Sequence, residues 1–214
     1  MRKGFFITFE GGEGAGKSIQ VQILASYLRE EGYKVTITRE PGGTRIGEQI
    51  RSITHSQENV DLDSKAESYL MAAARAQHVV EVIAPALDAG RIVISDRFVD
   101  SSIVYQGYGR KLGAEFITKL NEAAVNGAVP DVTVLLDIPF EIGMKRRHAS
   151  KKSTDRLDIQ QHDFYERVCK GYRILAQTNS KRYVIIDAGQ SIDQVATDVW
   201  NSVGKKIKKH FKNE

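Results

Sequence analysis

Apolar residues along this chain fall into two alternating rhythms, short continuous runs and helical stripes. Phe5-Phe6-Ile7-Thr8-Phe9 is an apolar run of strand length. Ile23, Leu24, Tyr27 and Leu28 then recur at helical spacing, and Gly32 supplies a stop signal. The β-branched stretch Lys34 to Thr38 predicts a second strand. Ser64-Lys65-Ala66-Glu67 has the S-x-x-E form of a capping box, in which serine and glutamate side chains satisfy the free amides of a helix start. It opens a long helical pattern through Leu70, Met71, Ala74, His78 and Val82 to Ala89. Pro85, which has no amide proton, should kink that helix, and Gly90 should end it. Ile92 to Ser95 predicts a strand ending at Asp96, followed by a helix over 114–126 and a strand Val132 to Leu136 ending at Asp137. Pro139 marks a helix start, and Phe164, Val168, Tyr172 and Leu175 stripe another helix. Arg182 to Asp187 predicts a fifth strand, and Ser191-Ile192-Asp193-Gln194 caps a last helix carrying Val195, Val199, Val203, Ile207 and Phe211.

Strands that alternate with helices give a parallel sheet covered on both faces, with ligands at the C-terminal ends of its strands. No repeat or linker divides the pattern, so residues 1–214 are expected to form one α/β domain. A hydrophobic fraction of 41% and a charged fraction of 27% are ordinary for a globular chain and name no function. The net charge of +4 fits an anionic ligand. Much of the excess lies between Lys205 and Lys212, where cations suit a helix C-terminus, and no nucleic-acid motif accompanies it. One cysteine, Cys169, cannot close an internal disulfide and suggests the reducing cytoplasm. No run approaches the roughly 18 apolar residues of a membrane span.

The first predicted strand leads into Gly11-Gly12-Glu13-Gly14-Ala15-Gly16-Lys17-Ser18, which fits G-x-x-x-x-G-K-[ST] at every fixed position, and a helix follows. Such a loop turns backbone N–H groups around an anion and adds the dipole of the next helix. Lys17 would reach the β- and γ-phosphates of a nucleoside triphosphate, and the Ser18 hydroxyl would ligate Mg²⁺. Asp96, at a strand end, is placed like a Walker B carboxylate that holds the same ion; its alternative is a turn cap. The expected fold is therefore the three-layer P-loop NTPase fold, a five-stranded parallel sheet with helices on both faces.

Arg39, Arg51, Arg75 and Arg97 fall on or beside segments leaving one sheet edge. Several arginines beside a phosphate loop suggest a second anionic ligand, a phosphorylated acceptor held by bidentate forks. Lys145, Arg146, Arg147, Lys151, Lys152 and Arg156 flank a polar stretch and suggest a cationic lid over about 145–157 that closes on the phosphates; a solvated basic helix end is the alternative.

Phe9-Glu10-Gly11, the loop through Ser18, Thr38-Arg39-Glu40-Pro41-Gly42-Gly43, Ala72 to Arg75, Asp96 to Ser102, Tyr105-Gln106-Gly107 and Asp155-Arg156-Leu157 together resemble thymidylate kinases of the bacterial type. The resemblance covers the chain from Phe5 to about Asp187. It implies transfer of the γ-phosphoryl of ATP to dTMP, with Mg²⁺, and a homodimer. It further implies that Arg39, Arg51 and Arg97 hold the dTMP phosphate and that Arg75 and Gln106 address the thymine edge. Ser102 and Tyr105 would then lie beside base and sugar, Glu40 near ribose and phosphate, and Arg156 would act from the lid, where this subclass replaces a basic residue missing from the phosphate loop. Two positions depart from the family pattern. Met71 stands where a phenylalanine underlies the thymine, and Ile19 where a second hydroxyl follows the loop. Two other functions share the phosphate loop: a deoxynucleoside kinase using Glu10 as base on a sugar hydroxyl, and a P-loop ATPase without a small acceptor.

Overall fold

The computed structural model describes residues 4–149, 156–157 and 160–212. Its centre is a five-stranded sheet formed by β1 (Phe5–Glu10), β2 (Val35–Arg39), β3 (Ile92–Asp96), β4 (Val132–Asp137) and β5 (Tyr183–Asp187). The strand order is β2-β3-β1-β4-β5, and every neighbouring pair is parallel. A parallel pair needs a crossover, and helices supply it on both faces. Phe5, Ile7 and Phe9 alternate onto one face, where they pack with α1 (Lys17–Glu30) and α9 (Ile192–Lys212) through Leu24, Leu28, Val199 and Val203. Phe6 turns to the other face, against Val79, Ile83, Leu87 and Phe98. Leu135 of β4 shares that second face with Phe164, Val168 and Tyr172 of α8 (His162–Thr178). With β1 central, Glu10 and the phosphate loop emerge mid-sheet; Asp96 pairs with both Phe9 and Arg39, so these strand ends converge on one edge.

The fold and all five predicted strands stand within a residue or two of the pattern that suggested them. Three details differ. The helix expected from a box at Ser64 is α3 (Ser64–His78), but its cap is Asp63, whose Oδ1 accepts from the amides of Lys65 at 2.9 Å and Ala66 at 3.2 Å. Asp63 does the work assigned to Ser64, so Glu67 lies one turn inside the helix and is free to point inward. The long helix also does not simply kink at Pro85. It ends at His78, widens into a π-type turn over Val79–Ile83, and resumes as α4 (Ala84–Asp88). Pro85 has no amide to close a bond to the preceding turn, and the wider winding precedes it. Finally, α2 (Arg45–His55) and α5 (Val99–Ser102), with the π-type turns Ile103–Gly109 that continue α5, are absent from the expected elements, although Ile46, Ile50 and Ile53 recur in α2 at helical spacing. Thr44 caps α2 by accepting from the Gly47 amide at 2.9 Å. The remaining helices, α6 (Ala114–Val125) and α7 (Phe140–Ala149), occupy their expected places. Among the described residues no helix is long and apolar enough to cross a membrane.

Candidate active site

One cavity of about 800 Å³ opens at the C-terminal edge of the sheet, the place the topology assigns to a ligand. At one end lies the phosphate loop. Lys17 Nζ donates to the carbonyl oxygens of Gly11 at 3.0 Å and Gly12 at 2.7 Å, so its charge is held inside the loop. Ser18 Oγ donates to Asp96 Oδ2 at 2.5 Å, which brings the two hard oxygen donors expected for Mg²⁺ side by side. The loop is also wedged against α7. A Cβ on Gly14, whose φ is +69°, would collide with the Gly143 carbonyl, and one on Gly143 would collide with the Glu13 carbonyl.

Arg97 follows β3 with a φ of +73°, a left-handed conformation that L side chains rarely adopt and that turns this arginine toward the loop. Its guanidinium donates to Gly11 O at 3.0 Å, to the hydroxyls of Tyr105 and Tyr172 at 3.1 Å, and to Glu13 Oε1 at 2.5 Å. Burial works to raise the Glu13 pKa, but Arg97 and Lys17 outweigh it and draw this carboxyl down to about 2. Burial and the nearby Arg97 lower Lys17 to about 8, against the pull of Glu13 and Asp96. Glu10 is fully buried; it accepts from the Phe98 amide at 2.8 Å and from the hydroxyls of Ser101 at 2.6 Å and Tyr172 at 3.0 Å. Burial and Asp100 push Glu10 up to about 7. It fixes the chain after Arg97 and does not line the cavity, so it is not presented to a sugar hydroxyl.

The other end of the cavity is built on α3. Met71, Arg75 and His78, with Glu67, recur on one helical face, and all are buried. Arg75 donates from Nε to Glu40 Oε2 at 2.9 Å and from Nη2 to Ser102 Oγ at 3.1 Å, and from Nη1 to Asn121 Oδ1. The second oxygen of Glu40 accepts from His78 Nδ1 at 2.9 Å, and His78 Nε2 in turn meets the Thr38 hydroxyl at 2.6 Å. A carboxylate only accepts, so the proton of that His78–Glu40 contact sits on Nδ1. Gln106 Nε2 donates to Glu67 Oε1 at 2.7 Å.

Arg39 and Arg51 border the same cavity. Arg39 Nη2 donates to both carboxylate oxygens of Glu48, at 2.9 and 2.7 Å, and Arg51 Nη1 donates to Pro41 O at 3.1 Å. Glu13, Gly14, Gly16, Lys17 and Ser18 line it from the loop, while Glu40, Met71, Arg75, Asp96, Arg97, Ser102, Tyr105 and Gln106 line the remainder. Gly11 and Gly12 take part through their carbonyls, and Ala15 is buried beneath the loop. Ile19 is half exposed at the cavity mouth.

Arg156 is the exception. Expected among cations that close on phosphates, it is 3% exposed, pairs with Glu67, and donates from Nη2 to Leu62 O at 2.6 Å. An ion pair that deep holds its guanidinium in place, and it does not line the cavity. The basic residues that do line it from α7 are Arg146 and Arg147. Lys151 and Lys152, and Asp155 of the family motif, lie outside the described residues. Glu67, His78, Asn121, Ser101 and Tyr172 were not among the sequence-based candidates. For the α3 pair a signal existed: Glu67 and His78 share the spacing of Met71 and Arg75, polar groups on an otherwise inward face.

A sequence profile of the family described as Thymidylate kinase matches residues 9–199. The chain belongs to the thymidylate kinase family. A thymidylate kinase of Geobacillus thermodenitrificans is 45% identical over 212 residues, covering 97% of this chain and 94% of that protein. One of Maridesulfovibrio salexigens is 43% identical, covering 96% and 98%. The crystal structure of a thymidylate kinase from Ehrlichia chaffeensis is similar with a TM-score of 0.77 at 34% identity, covering 94% of this chain and 98% of that one. Family membership accounts for a phosphate loop and several arginines in one cavity. It leaves the polar residues behind Arg75 and Gln106 to be read from geometry.

Proposed function

We infer that this chain transfers the γ-phosphoryl group of ATP to the phosphate of dTMP, giving dTDP and ADP. The observation behind this is the single cavity that has Lys17, Ser18 and Asp96 at its phosphate-loop end and Arg75, Ser102 and Gln106 at its α3 end. The backbone of Gly11 to Ser18 holds the ATP phosphates, with Lys17 on the β- and γ-groups. Arg39, Arg51 and Arg97 hold the acceptor phosphate, Arg75 and Gln106 meet the base edge, and Met71, Ser102 and Tyr105 lie beside base and sugar. Glu40 acts through Arg75, which it orients. Ser18 and Asp96 would hold Mg²⁺, which neutralises charge on the transferring phosphate when bound.

An acceptor phosphate is already largely a dianion at neutral pH, its second pKa being about 6, so no general base is needed. One of its oxygens attacks the γ-phosphorus as the bond to the β,γ-bridging oxygen breaks, and ADP leaves. The barrier is then chiefly that of bringing two anions together in line, which Lys17 and Arg97 lower by their charge and by position. Arg146 and Arg147 on α7 take the lid role first expected of Arg156. We read residues 1–214 as one kinase domain with a lid over about 145–157, acting in the cytoplasm as a homodimer. The exposed Tyr69 and Val80, on α3 and the turn after it, support an association surface on that side.

ADP release with ATP and dTMP, thymidine or no acceptor tests the assignment. Turnover is expected with dTMP alone; phosphorylation of thymidine would make the protein a deoxynucleoside kinase, and acceptor-independent release an ATPase. Light scattering during size-exclusion chromatography tests the homodimer.

A further inference from the structure

Glu67 is 1% exposed, a carboxylate buried as deeply as the Arg75 and Gln106 side chains beside it. Its Oε2 is matched by two guanidiniums, Arg110 at 3.2 Å and Arg156. Both are anchored elsewhere: Arg110 Nη1 donates to Gln160 Oε1 at 2.8 Å, and Arg156 Nη2 to Leu62 O at 2.6 Å. The carboxylate is thus held from behind, and its remaining oxygen, Oε1, accepts from Gln106 Nε2 at 2.7 Å. A glutamine amide has a donating and an accepting end, and nothing in its shape decides which faces a ligand. Here a neighbour that can only accept decides it. The NH₂ must face Glu67, which leaves the carbonyl oxygen as the atom Gln106 offers to the cavity it lines.

We propose that Glu67 is a positioning residue that sets the polarity of base reading, turning the Gln106 carbonyl toward the acceptor so that a pyrimidine offering N3–H is accepted and one offering a bare N3 is refused. Arg75 completes the pattern, because a guanidinium only donates. A donor beside an acceptor matches O4 and N3–H of thymine. Cytosine presents the reverse, an amino group and an unprotonated N3, so both contacts would face like with like. Buried groups left unpaired in this way make a site reject an analogue far more strongly than lost contact area would. The role rests on dTMP being the acceptor, and it explains why Arg156 is spent on a buried carboxylate instead of a phosphate.

The discriminating pair is dTMP and 5-methyl-dCMP, which differ only at position 4 and N3. In Glu67→Gln the side chain at 67 can donate as well as accept, and Gln106 becomes free to turn. The expected result is a fall on the order of tenfold or more in the ratio of kcat/KM for dTMP over 5-methyl-dCMP. The loss should enter mainly through KM for dTMP, with KM for ATP unchanged. A folded, active Glu67→Gln with the wild-type ratio would overturn the proposal, because a merely structural role would lower both substrates together. Should that variant not fold, the side-chain NH₂ resonances of Gln106 in the wild-type protein decide, assigned by their disappearance in Gln106→Leu. They are expected to be protected from solvent exchange, with and without dTMP. Exchange as fast as that of surface glutamines would overturn it. A wild-type protein that turns over neither nucleotide would instead remove dTMP as acceptor, and this proposal with it.

Discussion

The two ends of the cavity are held together in opposite ways. At the α3 end the polar groups are buried and serve one another: Arg75, Glu40 and His78 form a hydrogen-bonded chain, and Glu67 joins Gln106 to two arginines. At the phosphate end the cations rest on stand-ins. Lys17 sits on loop carbonyls and Arg97 on Glu13 and two phenols, partners that an incoming phosphate can replace. Reading a planar base needs fixed donors and acceptors, because a group that can rotate can satisfy the wrong base. Meeting a charge that develops during reaction needs cations already in place, whatever holds them beforehand. One end should therefore fail as structure and the other as chemistry.

Arg75→Ala should give the largest effect and should give it in folding. It leaves Glu40 buried beside an empty space, and breaking such a pair costs about 3–5 kcal/mol; urea unfolding measures it. Lys17→Ala is expected to lower kcat by roughly 10²–10³ with no loss of melting temperature. Folding depresses this lysine to about 8, so the folded state binds fewer protons than the unfolded one between pH 8 and the ordinary 10.5. The charged form therefore weighs against folding below pH 8, and its removal does not destabilise. A fall in stability as large as that of Arg75→Ala would erase the contrast.

The same shift predicts a smaller, pH-dependent effect. At pH 9 the empty site holds a largely neutral Lys17, while bound phosphates favour its charged form. ATP binding should then take up protons, approaching about one per site, and should take up none through Lys17 at pH 6. Calorimetry in buffers of different ionisation heat gives the number, and Lys17→Ala should abolish it. The mildest change is Met71→Phe. If residue 71 lies under the base, an aromatic face adds about 0.5–1.5 kcal/mol, a several-fold lower KM for dTMP with kcat and KM for ATP unchanged. No change in a normally melting variant would take Met71 out of the base site.

The sheet and the phosphate loop were legible because each announces itself locally. An apolar run followed by G-x-x-x-x-G-K-S needs no knowledge of distant residues, and neither does a strand that ends in Asp96. The α3 end was only half legible. Arg75 stands out with three other arginines beside one sheet edge, but its place at the base, like that of Gln106, follows only from the resemblance to a family, whereas Glu67 reads as half of a capping box because S-x-x-E at 64–67 fits that pattern. Asp63 took the cap instead, and no local rule decides between two adjacent residues that can both do it. The burial of Arg156 is illegible for a related reason: a basic residue in a basic stretch looks solvated or phosphate-bound until the carboxylate 89 positions away appears beside it. Long-range ion pairs leave no period in a sequence. The reverse holds for α2, whose start needs only Thr44 and whose Ile46, Ile50 and Ile53 recur at helical spacing, so its signal is local and was there to be used.

The contact between Gly14 and Gly143 has a consequence for how this enzyme can vary. Each is already the smallest residue there is; the Gly143 carbonyl leaves no room for a methyl group on Gly14, and the Glu13 carbonyl leaves none on Gly143. A change at one cannot be relieved by shrinking the other. The phosphate loop and the helix bearing Arg146 and Arg147 are thus packed backbone to backbone, and a displacement of the loop is expected to carry that helix with it. Substituting either glycine would loosen that gearing before it touched a single charged group.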